Sequence, residues 1–267
     1  MKAAQRFKYW YIKICRYLFQ KKYLTIMAGP LKGYLWPVSR NYDYITGSFE
    51  PAEVVKEFCS WFTPSTVFYD IGSNIGYYSF IANTLIVSGK IYAIEPTAFN
   101  NDLFEQLVRL NSRRMAVNNI RLLAFAISDT QKEVAFSCNT VFAEGNTYVT
   151  TGENYTGEKV TVQCYSIDGL LQMGYAAPDI IKIDIEWAEY DPLLGATNTL
   201  KKYTPHILIA THNCIEKGIK EKCVQYLEGL GYVLKHTGYQ NKAMDGLDDY
   251  LAVHKEKLKP GSILQIV

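Results

Sequence analysis

Five places in this chain carry side chains capable of chemistry, each closing a short apolar run: Asp70, Glu95, Ser128 with Asp129, Asp184 with Glu186, and His212 with Asn213. A carboxylate at a strand tip accepts hydrogen bonds from paired hydroxyls such as those of a ribose, and Glu95, 25 positions after Asp70, is placed to do so. Asp184 and Glu186 flank Ile185, so on an extended strand they point the same way. Paired carboxylates there hold a cationic centre, position a hydroxyl nucleophile, or bind a metal together with His212. Ion pairing with Lys182 or Lys201 is the structural alternative. An imidazole titrates near neutrality, which makes His212 a candidate general base.

These residues need a scaffold that brings strand ends together. Its centre is VFYDIGSNIGYYSFIANTLI: Val67–Tyr69 is a β-favouring run, and Ile75, Tyr78, Ile81, Ala82, Leu85 and Ile86 then recur at helical spacing. The stretch reads as strand, glycine turn and helix, with Asn74 as the expected N-cap and unpaired backbone N–H groups aimed beyond the strand. Gly72 and Gly76 are expected to let a ligand approach the backbone.

Further runs continue the alternation. KIYAIE (90–95), RLLAFAIS (121–128), DIIKIDIE (179–186) and 206–211 read as strands, and residues 99–110, a stretch to about 202, and 219–230 read as helices. Tyr232–Lys235 and Tyr250–His254 read as a closing antiparallel pair, with 245–249 in the connection. Such a βα alternation predicts an α/β, Rossmann-like, mostly parallel sheet that binds ligands beyond its strand ends. The chain divides into an N-terminal helix (1–22), a hairpin and lead-in helix (23–64) and a main domain (65–267) with a β-rich insertion at about 130–166.

Charge separates the first segment from the rest. Residues 1–42 hold nine of the 28 basic residues and none of the 26 acidic ones, so a basic end sits on an acidic body. Phe7, Trp10, Tyr11, Ile14, Cys15, Leu18 and Phe19 fall at helical spacing opposite most of the bases. An interfacial helix on an anionic membrane fits this pattern; packing on the body or in a homo-oligomer contact is the alternative. Six scattered cysteines without metal-ligand spacing suggest reduced thiols and a cytoplasmic setting. No signal peptide is expected, and no run approaches the ~20 apolar residues of a spanning helix.

Asp70-x-Gly72-x-Asn74-x-Gly76 has the form of the first motif of class I S-adenosylmethionine-dependent methyltransferases. FYDIGSNIGYYS, AIEP, AISD, SIDGLL and above all IKIDIEWAEYDPLLGA resemble the FkbM family of methyltransferases, as do GPLKGYLW and ITGSFEP upstream. The resemblance implies a seven-stranded class I sheet with an antiparallel C-terminal strand, S-adenosyl-L-methionine as cofactor, and O-methylation of a hydroxyl on a sugar, glycan or natural product. By the same resemblance Asp70, Gly72, Asn74 and Gly76 line the methionine region, Glu95 takes the ribose, Ala126 to Ser128 lie near the adenine, and Asp184 faces the transfer centre. Where the family usually has Gly this chain has Trp187, whose indole narrows the acceptor side or offers a stacking face. The acceptor pocket is expected over Trp187, His212 and the Tyr148–Tyr155 loop, with Asp184, Glu186 or His212 as the base and no metal. A nucleic-acid acceptor is the alternative that the basic N-terminus allows, but no N-P-P-[YF] motif follows the fourth strand and the body is acidic. A non-catalytic membrane-associated module is the other.

Overall fold

The computed structural model describes residues 3–40, 42–138, 147–148, 158–185, 188–213, 217–240 and 247–258. Helix α1 (Ala3–Tyr17) precedes an antiparallel pair, β1 (Tyr23–Thr25) and β2 (Leu35–Pro37), then α2 (Tyr42–Thr46) and α3 (Ala52–Ser60). The alternating core follows: β3 (Val67–Ile71), α4 (Tyr77–Leu85), β4 (Lys90–Ile94), α5 (Ala98–Asn111) and β5 (Ile120–Leu123). Next come β6 (Ala126–Ile127), β7 (Lys132–Cys138), β8 (Thr147–Tyr148) and β9 (Glu158–Tyr165), a separate sheet in the order β6-β9-β7-β8. The chain continues through α6 (Ile167–Gln172), β10 (Ile180–Ile183), α7 (Tyr190–Leu194), α8 (Thr197–Tyr203), β11 (His206–His212), α9 (Ile219–Gly229), β12 (Tyr232–Gln240) and β13 (Leu247–His254).

The main sheet has seven strands in the order β12-β13-β11-β10-β3-β4-β5. Its strands run parallel except β13, which lies antiparallel between β11 and β12. This is the expected Rossmann-like class I arrangement, and its two buried faces follow from strand alternation. Phe68, Ile91, Ala93, Ile180 and Leu208 face one core layer, shared with α4, α5 and the N-terminal segment. Tyr69, Ile71, Tyr92, Ile94, Ile181, Ile183, Ile207 and Ile209 face the other, beneath α6 to α9. Segment 23–64 contributes Ile26, Leu31, Trp36 and Ile45 to the same core as Phe68 and Phe80.

Several local expectations are corrected. RLLAFAIS is not one strand: β5 ends at Leu123, and Ala126–Ile127 pairs with β9 in the second sheet. The stretch after β10 is two short helices, because the chain turns at Gly195, where a Cβ would lie 2.2 Å from Ser128 O. The closing pair is longer than its apolar residues suggest, so Asp248 and Asp249 are strand residues rather than loop. Asn74 does not cap α4; Gly76 does, in a left-handed conformation.

The N-terminal hairpin is clamped to the body by a fully buried amide. Asn111 Oδ1 accepts from Leu35 N at 2.7 Å, and its Nδ2 donates to Leu35 O at 3.1 Å and Leu107 O at 3.0 Å. The side chain thus serves β2 as a neighbouring strand would. Asn111→Ala strands both backbone groups of Leu35 and should cost about 2–4 kcal/mol, measured as a lower denaturation midpoint at unchanged slope.

Candidate active site

The turn after β3 is built to pack on its own protein. Gly72 has φ +72° and a Cβ there would fall 2.0 Å from Asp184 O; Gly76 has φ +89° and its Cβ would enter the Phe104 ring at 2.3 Å. Both glycines therefore admit neighbouring protein groups at close range. The backbone N–H groups are also engaged: Gly72 N and Ser73 N both donate to Ile94 O at 3.0 Å, and Gly76 N donates to Ser73 O at 2.8 Å. Asn74, itself at φ +51°, donates its N–H to Glu95 Oε2 at 3.0 Å. The opposite oxygen, Glu95 Oε1, accepts from Thr97 N at 3.0 Å, Thr97 Oγ1 and Asn100 Nδ2. Buried Arg40 donates to Asn100 Oδ1 at 2.7 Å, which fixes the amide so that its Nδ2 faces Glu95.

A chain of charged groups runs beneath this turn. Lys182, in the middle of β10, is buried, and its Nζ donates to Gly72 O at 2.9 Å. The same ammonium lies 3.6 Å from Asp70 Oδ1 and 3.4 Å from Asp184 Oδ2, and its Nζ sits 5.3 Å from the Tyr78 ring centre. Asp70 is completely buried and its other oxygen accepts from Ser79 Oγ at 2.6 Å. Asp184 is the exposed member, its side chain 41% accessible against 5% for Lys182 and 7% for His212. His212 ends β11 with Nε2 3.8 Å from Asp184 Oδ1, while Nδ1 bonds the fully buried carboxylate of Glu189. The carboxylate on Nδ1 fixes the ring, and Nε2 is turned toward Asp184.

Residues 70–234 match the model of the Methyltransferase FkbM domain. The chain belongs to the FkbM methyltransferase family. Over 136 residues it is 29% identical to the hexuronic acid methyltransferase AglP of Haloferax volcanii, which covers 51% of this chain and 52% of that protein. The chain thus spans about half the length of this curated relative. In fold it is similar to the crystal structure of methyltransferase FkbM from Methylobacillus flagellatus KT, with TM-score 0.53 and 16% identity over 71% of this chain and 44% of that one. The domain match takes in Glu95, Lys182, Asp184, Glu189 and His212 and leaves out Glu50 and Asp249.

Two further acids adjoin this FkbM-family site. Tyr78 OH donates to Glu50 Oε1, and burial pushes the Glu50 carboxyl up to about 7 despite that bond. Burial, with Glu50 and Asp184 nearby, pushes Asp249 on β13 well above the usual carboxylate range. Asp184 goes the other way: burial opposes its charge, but Lys182 and His212 outweigh it and hold its carboxyl below the usual range. Burial likewise works against the Lys182 ammonium, and Asp184 and Asp70 overcome it.

The structure brings Asp70, Gly72, Asn74, Gly76, Glu95, Asp184 and His212 to adjoining strand ends. Ser128 is instead buried on the second sheet side, its Oγ donating to Asp129 at 3.0 Å and Asp191 at 3.3 Å. β10 stops at Ile183, so Asp184 lies just past the strand whose alternation was used to pair it with Glu186. Glu186, Trp187 and Tyr155 lie outside the described residues, and Tyr148 is described only as backbone pairing with Phe136. Among the described residues, no three His, Cys, Asp or Glu side chains form a group able to hold a metal ion.

Sequence reasoning missed Glu189, Glu50, Tyr78 and Asp249, and treated Lys182 only as a bland ion-pair partner. A signal for Lys182 was present: a lysine amid isoleucines in a strand buried on both faces needs a partner.

The Glu50 carboxyl gives a pH test. It keeps its proton to about 7 in the folded protein but loses it near 4.5 when unfolded, so its contribution to stability falls as pH rises through that window. Glu50→Gln should therefore gain roughly 3 kcal/mol on wild type between pH 4 and pH 8. Paired denaturant titrations across that range check it.

Proposed function

We propose that this chain is an S-adenosylmethionine-dependent O-methyltransferase acting on a sugar hydroxyl. The observation that carries the reading is the Glu189–His212 pair, which sets the imidazole Nε2 3.8 Å from Asp184 beside the β3–α4 turn. Membership of the FkbM family and the likeness to a hexuronic acid methyltransferase support the acceptor class.

The turn fits the cofactor on its own chemistry. Ser73 Oγ and Asn74 Oδ1 are buried without a hydrogen-bond partner, and Glu95 Oε2 has a lone pair beyond the one that Asn74 N uses. Glu95 would hold the ribose, and Ser73 and Asn74 would face the polar groups beside it. When bound, the cofactor supplies a methyl group already activated on a sulfonium. The chain must then align the acceptor oxygen and remove its proton, contributions of ~7–11 kcal/mol and about 10²–10⁴-fold. His212 Nε2, neutral before transfer, takes that proton, Glu189 holds the ring, and Asp184, ionised and partly exposed, stabilises the imidazolium that forms. Of the three candidate bases this favours His212, because its ring is fixed by Glu189 with an anion on each side of it. The anionic Asp184 and the acidic body disfavour a phosphodiester, which argues against a nucleic-acid acceptor.

The test is calorimetry with S-adenosylhomocysteine together with transfer of a labelled methyl group to hexose- and hexuronate-containing acceptors. His212→Ala should lower turnover by about 10²-fold or more at unchanged cofactor affinity, and should remove the fall in rate toward low pH that protonation of the base produces. Glu189→Gln should lower turnover in the same sense. Wild-type rates in both variants would move the proton acceptor elsewhere, and a chain that binds no S-adenosylhomocysteine would overturn the reading.

A further inference from the structure

Helix α1 is docked on the protein through apolar and polar groups together. Ile12 and Cys15 are buried, Ile12 in the main core, and polar groups add to the contact. Tyr9 OH donates to Asp43, and the Arg16 guanidinium donates to Val38 O at 3.3 Å and Tyr42 OH at 3.4 Å. Large apolar residues look outward: Phe7 is 65% exposed, Trp10 59%, Tyr17 66%, Leu18 74% and Phe19 66%. So dense a set of exposed rings is a surface for contact rather than ordinary scatter.

Basic groups frame this face. Arg6 and Lys13 are exposed on the helix, and Lys21 and Lys22 are exposed just past it. Where the helix ends there is a pocket of about 360 Å³ lined by Arg16, Gln20, Lys21, Lys22 and Ser39 among others, with no carboxylate in its wall. Among the described residues, no helix is long and apolar enough to cross a membrane.

We propose that this face docks on an anionic phospholipid bilayer, the side chains of Phe7, Trp10, Leu18 and Phe19 entering the interfacial layer and a headgroup phosphate sitting in the Arg16–Lys21–Lys22 pocket. Charge complementarity selects this occupant: residues 1–42 hold nine bases and no acid, whereas a second copy would oppose like charge to like. Rings at headgroup depth beside lysines facing anionic lipid satisfy both halves of the surface. The docking is independent of the acceptor proposed above, since it involves no residue of the Asp184–His212 site.

Co-sedimentation of the full chain with phosphatidylcholine vesicles, with and without phosphatidylglycerol, tests it. The protein should pellet with anionic vesicles at low salt and release as salt screens the contact. Lys21→Glu/Lys22→Glu should weaken binding at least about 25-fold, from roughly fivefold per lysine removed. Phe7→Ala/Trp10→Ala should weaken it about tenfold or more through lost apolar burial. S-adenosylhomocysteine affinity, unchanged in all variants, verifies that they fold. Equal binding to neutral and anionic vesicles, or none to anionic vesicles at low salt, overturns the proposal. So does a dimer in light scattering that Phe7→Ala/Trp10→Ala dissociates while vesicle binding is absent, which would assign the face to a second copy.

Discussion

The site depends on one buried ammonium. Lys182 Nζ ties Gly72 O, Asp70 and Asp184 together, and so joins the ends of β3 and β10 at the point where the turn begins. Register explains the contact: Lys182 pairs with Asp70 across the parallel ladder, and Asp184 follows two residues on. Without the lysine, Asp70 would be a carboxylate in a fully buried position held by Ser79 alone among side-chain donors described here. Breaking such a pair from one side costs more than the pair itself contributes, because the remaining charge has no water to return to. Asp184 takes its position from Lys182, and the Nε2 edge of His212 faces Asp184.

How far this was readable beforehand depended on whether the signal was local. The strand–turn–helix at Val67–Leu85 showed in the shift of apolar spacing, and Asp184 and His212 showed as polar residues closing apolar runs. Glu189 did not, since it sits in a short helical corner and meets His212 only because β10 and β11 are neighbours. Glu50 and Asp249 come from opposite ends of the chain, and nothing in their own flanking residues announces that both face the sheet end. Asp249 was also hidden by charge: LDDYLAVH begins with acids, and β-propensity placed the strand start later than the ladder does.

The glycine turn is held by close packing. Gly72 and Gly76 stand where the family pattern puts them, and a side chain there would strike Asp184 O and the Phe104 ring. Close packing of the turn is what fixes Asn74 in a left-handed conformation and brings its N–H to Glu95. Glu95 is thus the connection between two strand ends, and under the proposed function its remaining lone pair would meet the ribose. Arg40 and Asn100 extend that connection to the N-terminal segment, so the hairpin and the cofactor side are mechanically linked.

The unlike titration of the neighbouring acids has a chemical consequence. Glu50 is pushed toward the neutral form by burial and Asp184, and Asp249 by burial, Glu50 and Asp184, whereas Asp184 keeps its charge through Lys182 and His212. Of these three acids, Asp184 is the one that burial does not neutralise. Under the proposed function that anion at the strand ends would attract a cationic sulfonium, and an acid in its neutral form could donate a hydrogen bond that a carboxylate cannot. Such a division would suit an acceptor rich in hydroxyls, which offers oxygens to such donors.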